Sequence, residues 1–144
     1  MLVRRSTAAW HGNLAEGRGR MSLGSGGFSG AYSFSSRFES GTGTNPEELI
    51  GAAHAGCFSM AFAHALSQAG YPPREVATEA RVSLDKGPAG FTIKRSDLFT
   101  EAEVPGIDAA LFAKLAEEAK KGCPVSRALA GVEISLQARL VTKS

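Results

Sequence analysis

The sequence predicts one domain in which a central helix is buried by sheet, and three features carry that reading. Short β-like segments cluster in two regions, within residues 6–38 and 75–141, on either side of a strongly signalled helix. That helix holds a stretch, Leu49 to Tyr71, with no formally charged side chain. Its small residues on every side let other backbones approach closely, so sheet can cover one part and a partner chain another. At 144 residues the chain suits a single domain, 1–144, with a real core.

The first β region is rich in Gly and Ser and reads as strands over Ser6–Trp10, Arg18–Leu23 and Ala31–Phe38, with Gly24-Ser25-Gly26-Gly27 as a turn between the last two. The helix then opens at Asn45-Pro46-Glu47-Glu48. This run combines a capping side chain, a proline at the first helical position and acids in the first turn, all suited to unpaired N–H groups. Gly70 is placed to end it, and Pro72-Pro73 bars continuation. Length alone would permit a membrane span, but Ala, Gly, Ser, His and Gln supply much of the stretch, and a single span does not fit two flanking β regions.

A β pair follows, Glu75–Asp85 and Phe91–Glu101, turning at Lys86-Gly87-Pro88-Ala89-Gly90. A second helix runs from an Asp108 cap to Lys121, with Leu111, Phe112, Leu115 and Ala119 on one side, and Gly122 closes it. Pro124 opens a short third helix that Gly131 ends. The last strand, Val132–Val141, puts Val132, Ile134, Leu136, Ala138 and Leu140 on one face.

Charge excludes one class of function. The formal net charge is +2, acids are mixed in throughout, and no basic stripe of the kind phosphate binding needs is present, so nucleic acid is not an expected partner. The N-terminal Arg4-Arg5 pair is followed by no apolar run of signal-peptide length, which points to a cytoplasmic protein. In that reducing compartment two cysteines are rarely a structural staple; buried filler, metal ligands and redox thiols are the alternatives.

Cys57 lies in the middle of the charge-free helix, where a free cysteine is often a small core hydrophobe and burial raises its pKa unless a cation is close. Cys123 stands in Gly122-Cys123-Pro124-Val125-Ser126, between a helix stop and a helix start. There the N–H groups and dipole of the third helix favour a thiolate. Position alone makes Cys123 the more reactive thiol.

Asn45-Pro46-Glu47-Glu48-Leu49-Ile50-Gly51-Ala52-Ala53-His54-Ala55-Gly56-Cys57 resembles the signature of the OsmC/Ohr family (osmotically inducible protein C and organic hydroperoxide resistance proteins). Gly122-Cys123-Pro124-Val125-Ser126 is similar to the segment that holds this family's second cysteine. The likeness extends over Arg37-Phe38-Glu39, Val82-Ser83-Leu84-Asp85-Lys86 and Val104-Pro105-Gly106-Ile107-Asp108, covers essentially the whole chain, and favours the OsmC branch. It implies an α+β fold in which a strongly curved antiparallel sheet wraps a long central helix within an intertwined homodimer. It also implies thiol peroxidase activity toward organic hydroperoxides with no metal or organic cofactor. By the same resemblance Cys57 attacks the peroxide, Cys123 resolves, and Arg37 and Glu47 bond to each other beside the reactive thiol. That reverses the order drawn from helix position, since an arginine beside a buried thiol can outweigh its desolvation.

These residue types suit the chemistry. A thiolate attacks the distal peroxide oxygen, and the developing alkoxide needs positive charge and donors aimed at it. Arginine stays protonated, and its planar fork can hold a carboxylate and a substrate oxygen together. The sulfenic acid condenses with the second thiol, and an external dithiol reopens the disulfide. Apolar Phe58, Met60 and Phe62 could favour alkyl peroxides, although core packing accounts for them as well. Ten residues of straight helix between Glu47 and Cys57 amount to about 15 Å of rise, more than a Glu side chain can span. Either the helix breaks, near Gly51, or the Glu47 that serves one Cys57 comes from the other subunit, and the second is the expectation.

Other readings compete. His54 and Cys57 share a helix face at a spacing that could hold a metal with His64 and Cys123, but a lone histidine in an apolar helix is more often a hydrogen-bonded core residue. Arg18 or Arg20 could take the place of Arg37. Trp10, His11 and Glu39 read as structural. A non-catalytic dimer that only holds an apolar molecule is the alternative function, and retention of both cysteines with Arg37 and Glu47 argues against it.

Overall fold

The computed structural model describes residues 1–142, which form two compact units, Met1–Leu49 and Ile50–Ser144. In the first, β1 (Ser6–His11), β2 (Arg18–Leu23) and β3 (Ser29–Tyr32) make an antiparallel sheet in that order. Gly19 sits where Trp10 and Tyr32 meet across the sheet, their rings 5.3 Å apart. A Cβ there would come within 2.6 Å of both rings, so only glycine fits.

The strand expected over Ala31–Phe38 is a strand only to Tyr32. Phe34–Phe38 is a short helix, α1, because Ser33 and Ser36 form a reciprocal capping box. The Ser33 hydroxyl accepts from the Ser36 N–H at 3.1 Å, and the Ser36 hydroxyl accepts from the Ser33 N–H at 2.8 Å. Two satisfied donors at the first turn override the β pattern of the residues. Arg37 therefore stands in the last turn of this helix and not on a strand.

Helix α2 runs from Pro46 to Gln68 without a break, which removes the option of an interruption near Gly51. Asn45 Oδ1 accepts from the Glu48 N–H at 2.8 Å at its start. At its end Gly70 takes φ +92°, and the Tyr71 N–H returns to the Leu66 carbonyl at 2.9 Å.

In the second unit, β4 (Glu75–Gly87) and β5 (Gly90–Glu103) form an antiparallel hairpin that turns at Pro88-Ala89, with Gly90 at φ +105°. β6 (Glu133–Val141) joins the far edge of β5, parallel to it. The class is α+β, as expected. Among the named strands the pairing is antiparallel except at β6, whose return through two helices lets it enter in the other direction, and an isolated parallel bridge joins Tyr32 to Thr44. Those helices are α3 (Ala109–Gly122) and α4 (Pro124–Ala128); the Asp108 carboxylate caps the first by accepting from the Leu111 N–H at 2.8 Å.

The core lies between these helices, α2 and the sheet. Phe58, Phe62, Leu66, Leu98 and Ala102 are fully buried, and Phe112, Leu115, Ala116 and Ala119 from α3 close it. Ile134, Leu136, Ala138 and Leu140 of β6 pack against it as their alternation predicts. Each fully buried Phe or Leu contributes about 1.5–3 kcal/mol of burial. One face of α2 remains outside this core. By length and composition the helix could cross a membrane, yet only 28% of its most apolar stretch is buried in the chain, and Met60 is 77% exposed.

Candidate active site

Cys123 is held by two helices at once. Its N–H closes α3 on the Ala119 carbonyl at 2.9 Å, and its carbonyl opens α4 by accepting from the Arg127 N–H at 3.0 Å. Pro124 at the next position fixes the start of α4, so Cys123 is the N-cap residue expected from sequence. Its side chain is fully buried and touches that of Cys57 from α2; both cysteines are free thiols joined by a hydrogen bond.

The two thiols are not equivalent. Burial pushes the Cys57 pKa up, the shared hydrogen bond with Cys123 adds to the rise, and the Val125 N–H offsets only part of it. Burial also pushes Cys123 up, but Cys57, the N–H groups of Ser126 and Val125 and the Ser126 hydroxyl outweigh it and bring the thiol below its ordinary value. The donors belong to the first turn of α4, where peptide N–H groups are unpaired and the dipole is positive. Within Ile50–Ser144, among the described residues, no guanidinium or ammonium contributes to either shift.

His54 is a hydrogen-bonded core residue. It is fully buried, with Nδ1 at 2.7 Å from Ser96 Oγ and Nε2 at 2.8 Å from Ser126 Oγ, so both potential metal-ligand atoms are engaged by hydroxyls. No local pattern in the sequence points to Ser96 as a partner of His54. A signal was present for Ser126, which follows Cys123 by three residues, as Cys57 follows His54 by three.

The first unit brings together the other expected pair. Arg37 Nε donates to Glu47 Oε1 at 2.9 Å and Arg37 Nη2 to Oε2 at 3.2 Å, a fork-on-fork pair in which Glu47 is buried and Arg37 about one-third exposed. Among the described residues the other guanidinium N–H groups have no further acceptor. Arg37 also lies over the Phe38 ring, 5.2 Å from its centroid. With Trp10, Leu14, Tyr32, Phe34 and Phe38 it lines a cavity of about 380 Å³. Arg18 and Arg20 lie on β2; Arg20 Nε donates to Ser29 Oγ at 2.9 Å, and neither pairs with Glu47.

A helix-on-sheet core that seats two touching thiols at a helix N-terminus defines a dithiol protein of the α+β class. The chain belongs to the OsmC family: residues 39–137 match the family described as OsmC-like protein. It is 49% identical over 138 residues to peroxiredoxin OsmC of Escherichia coli K12, covering 95% of this chain and 96% of that one. It is 35% identical over 98 residues to an organic hydroperoxide resistance protein of Xanthomonas axonopodis pv. citri, covering 67% of each. Among solved structures, the OsmC-like protein of Mycoplasma pneumoniae aligns with a TM-score of 0.74 at 18% identity, covering 98% and 99% of the two chains. OhrB of Bacillus subtilis aligns at 0.70 and 24%, covering 95% and 98%. At those identities the structural matches establish the fold.

Proposed function

We propose that this protein is a cytoplasmic, homodimeric two-cysteine thiol peroxidase that reduces organic hydroperoxides, and that 1–144 acts as one OsmC-like domain. The observation that carries the reading is the contact between Cys57 and Cys123, two free thiols 66 positions apart in sequence that the fold brings side by side. The Cys57 thiolate attacks the distal oxygen of ROOH, the O–O bond breaks, and the alkoxide leaves as ROH after taking a proton. Cys123 then attacks the Cys57 sulfenic sulfur, forming the disulfide and releasing water. An external dithiol reduces the disulfide by exchange and is itself oxidised. The curated relatives, named for peroxiredoxin and organic hydroperoxide resistance, support this reading and a role in stress defence.

Arg37 supplies the positive charge, oriented by Glu47, and the aromatic cavity beside it favours a peroxide with an apolar R group. Because α2 is unbroken, Glu47 and Cys57 of one chain are separated by about 15 Å of helical rise. The Arg37–Glu47 pair serving a given Cys57 therefore comes from the second subunit, and the uncovered apolar face of α2 is where the two chains meet.

The test is direct. One equivalent of cumene hydroperoxide added to reduced protein, followed by intact mass under denaturing conditions, should show loss of two hydrogens. Peptide mapping should locate a Cys57–Cys123 bond. A protein that only holds an apolar molecule would remain a dithiol, and that result ends the peroxidase reading.

A further inference from the structure

The reaction above leaves a fully buried imidazole unused. His54 joins three elements: Ser96 of β5 meets its Nδ1 at 2.7 Å, and Ser126 of α4 meets its Nε2 at 2.8 Å. Ser126 follows Cys123 by three residues in the first turn of α4, both side chains are buried, and the Ser126 hydroxyl is among the groups that lower the Cys123 pKa. Ser96, His54, Ser126 and Cys123 are 1%, 0%, 6% and 0% exposed, so water does not complete the chain from outside. Burying three polar side chains costs desolvation that an apolar filler would avoid, and a row of them ending on a sulfur calls for a role.

Counting hydrogens gives the row a direction. Burial lowers the His54 pKa, so the ring is neutral and carries one N–H. Among the described residues the Ser96 hydroxyl has His54 Nδ1 as its one partner, and we assign the tautomer in which its buried hydrogen is donated there, because the other would leave that hydrogen unused. The ring hydrogen then sits on Nε2 and is given to Ser126 Oγ. That leaves the Ser126 hydrogen for Cys123, and every donor in the row points toward the sulfur.

We infer that His54 is a positioning residue which, through Ser126, aims a hydroxyl hydrogen at the Cys123 sulfur for the resolving step. The inference rests on the peroxidase reading for the step it serves. In that step the Cys123 electron pair forms the S–S bond, and the S–O pair of the Cys57 sulfenic acid leaves with hydroxide, which takes a proton to become water. The sulfenic sulfur is reduced and the Cys123 sulfur oxidised, while the relay itself changes no covalent bond. The same donor makes Cys123 the better leaving group when an external dithiol attacks Cys57 in the disulfide. The titratable groups facing Cys123 are Cys57 and, through Ser126, His54, both from α2. α3 contributes apolar Ala119; of its last-turn lysines, half-buried Lys120 is paired with Glu117 at 3.0 Å and Lys121 is exposed; β5 contributes Leu98 and the Ser96 hydroxyl.

The experiment compares wild type with Ser126→Ala, Ser126→Thr and His54→Asn by three readouts. Thiolate ultraviolet absorbance is titrated with no peroxide present. Cys57 oxidation is timed in a Cys123→Ser background, and disulfide formation is timed with both cysteines. Ser126→Ala should move the Cys123 titration upward and slow disulfide formation about tenfold more than it slows Cys57 oxidation. Ser126→Thr, which keeps the hydroxyl, should recover most of the loss, and His54→Asn should fall on the Ser126→Ala side. A titration that does not respond to Ser126→Ala, or equal slowing of both steps, overturns the inference. A titration that responds in a protein forming no disulfide with peroxide upholds the relay and removes the peroxidase reading instead. Should His54→Asn fail to fold, the Ala and Thr pair at Ser126 decides alone.

Discussion

Arg37→Met is the substitution that separates stability from chemistry. Both polar contacts of the buried Glu47 carboxylate go to Arg37, at 2.9 and 3.2 Å, so the variant leaves that carboxylate without a partner. Removing one member of a buried ion pair costs about 3–5 kcal/mol, but the Arg37 side chain is 35% exposed, and water can enter to replace part of the loss. The expected destabilisation is therefore about 1–2 kcal/mol, roughly 2–8 °C in Tm for a chain of this size. The effect on kcat/KM should be larger, about 10²–10³-fold, the typical loss when a donor aimed at developing negative charge is removed. Glu47→Gln in the same chain removes the stranded charge. The double variant should regain most of the stability while its activity stays low, because the coupling belongs to the pair and the charge stabilisation to Arg37 alone. Urea unfolding and steady-state turnover of cumene hydroperoxide with a dithiol reductant measure the two quantities. Activity within about twofold of wild type in Arg37→Met would refute the assignment and return the role to Arg18 or Arg20. Strictly additive stability losses would refute the coupling.

Three further outcomes follow from the same geometry. Phe62→Ala should cost about 3–5 kcal/mol in urea unfolding, since Phe62 is fully buried and its ring meets Phe58 and Phe112 at 5.6 and 5.2 Å. The hydrogen bonds from Arg95 and then Ser135 hold Asp97 below its ordinary pKa of 3.8, so its stabilisation is present above that value and fades as pH falls through the lower folded one. Asp97→Asn should thus lower Tm at neutral pH, with the gap to wild type closing only in strong acid. Mixed and refolded Glu47→Ala and Cys57→Ser chains, each inactive alone, should regain activity as verified heterodimers, and absence of any recovery would place both residues of a working site in one subunit.

The chain punctuates its helices openly and hides its long-range polar contacts. Asn45-Pro46, Gly70, Asp108 and Pro124 each act through neighbours within one turn, so their chemistry is legible from sequence and their helices begin or end there. The same locality misleads at Ala31–Phe38, where alternating apolar residues read as strand but a serine three places from another serine caps a helix. The usual capping partner is Glu or Gln, so the signal is easily passed over. The Arg37–Glu47 and Cys57–Cys123 pairs came from resemblance, not periodicity, because nothing local requires them to meet. His54 could be expected to be hydrogen-bonded in a core; that its partners would be Ser96 and Ser126 depends on how β5 and α4 pack against α2, which no window of sequence contains.

The order in which the two sulfurs act turns on where a cation falls. Within Ile50–Ser144 the donors converge on Cys123 and leave Cys57 the weaker acid, which by itself would make Cys123 the attacker. A guanidinium in contact with a thiolate at the effective dielectric of a protein is worth about 4 kcal/mol, and that converts to about three pKa units. An arginine beside Cys57 is therefore enough to invert the order, and nothing weaker among the groups that now touch it will do so. Thiolate titration of Cys57→Ser and Cys123→Ser chains, each with and without Arg37→Met, resolves the matter. Cys57 should titrate below its ordinary value in the presence of Arg37 and clearly higher without it, while Cys123 barely moves. If Cys57 stays the weaker acid with Arg37 intact, the α4 N-terminus governs the site, Cys123 meets the peroxide first, and Cys57 becomes the resolving thiol.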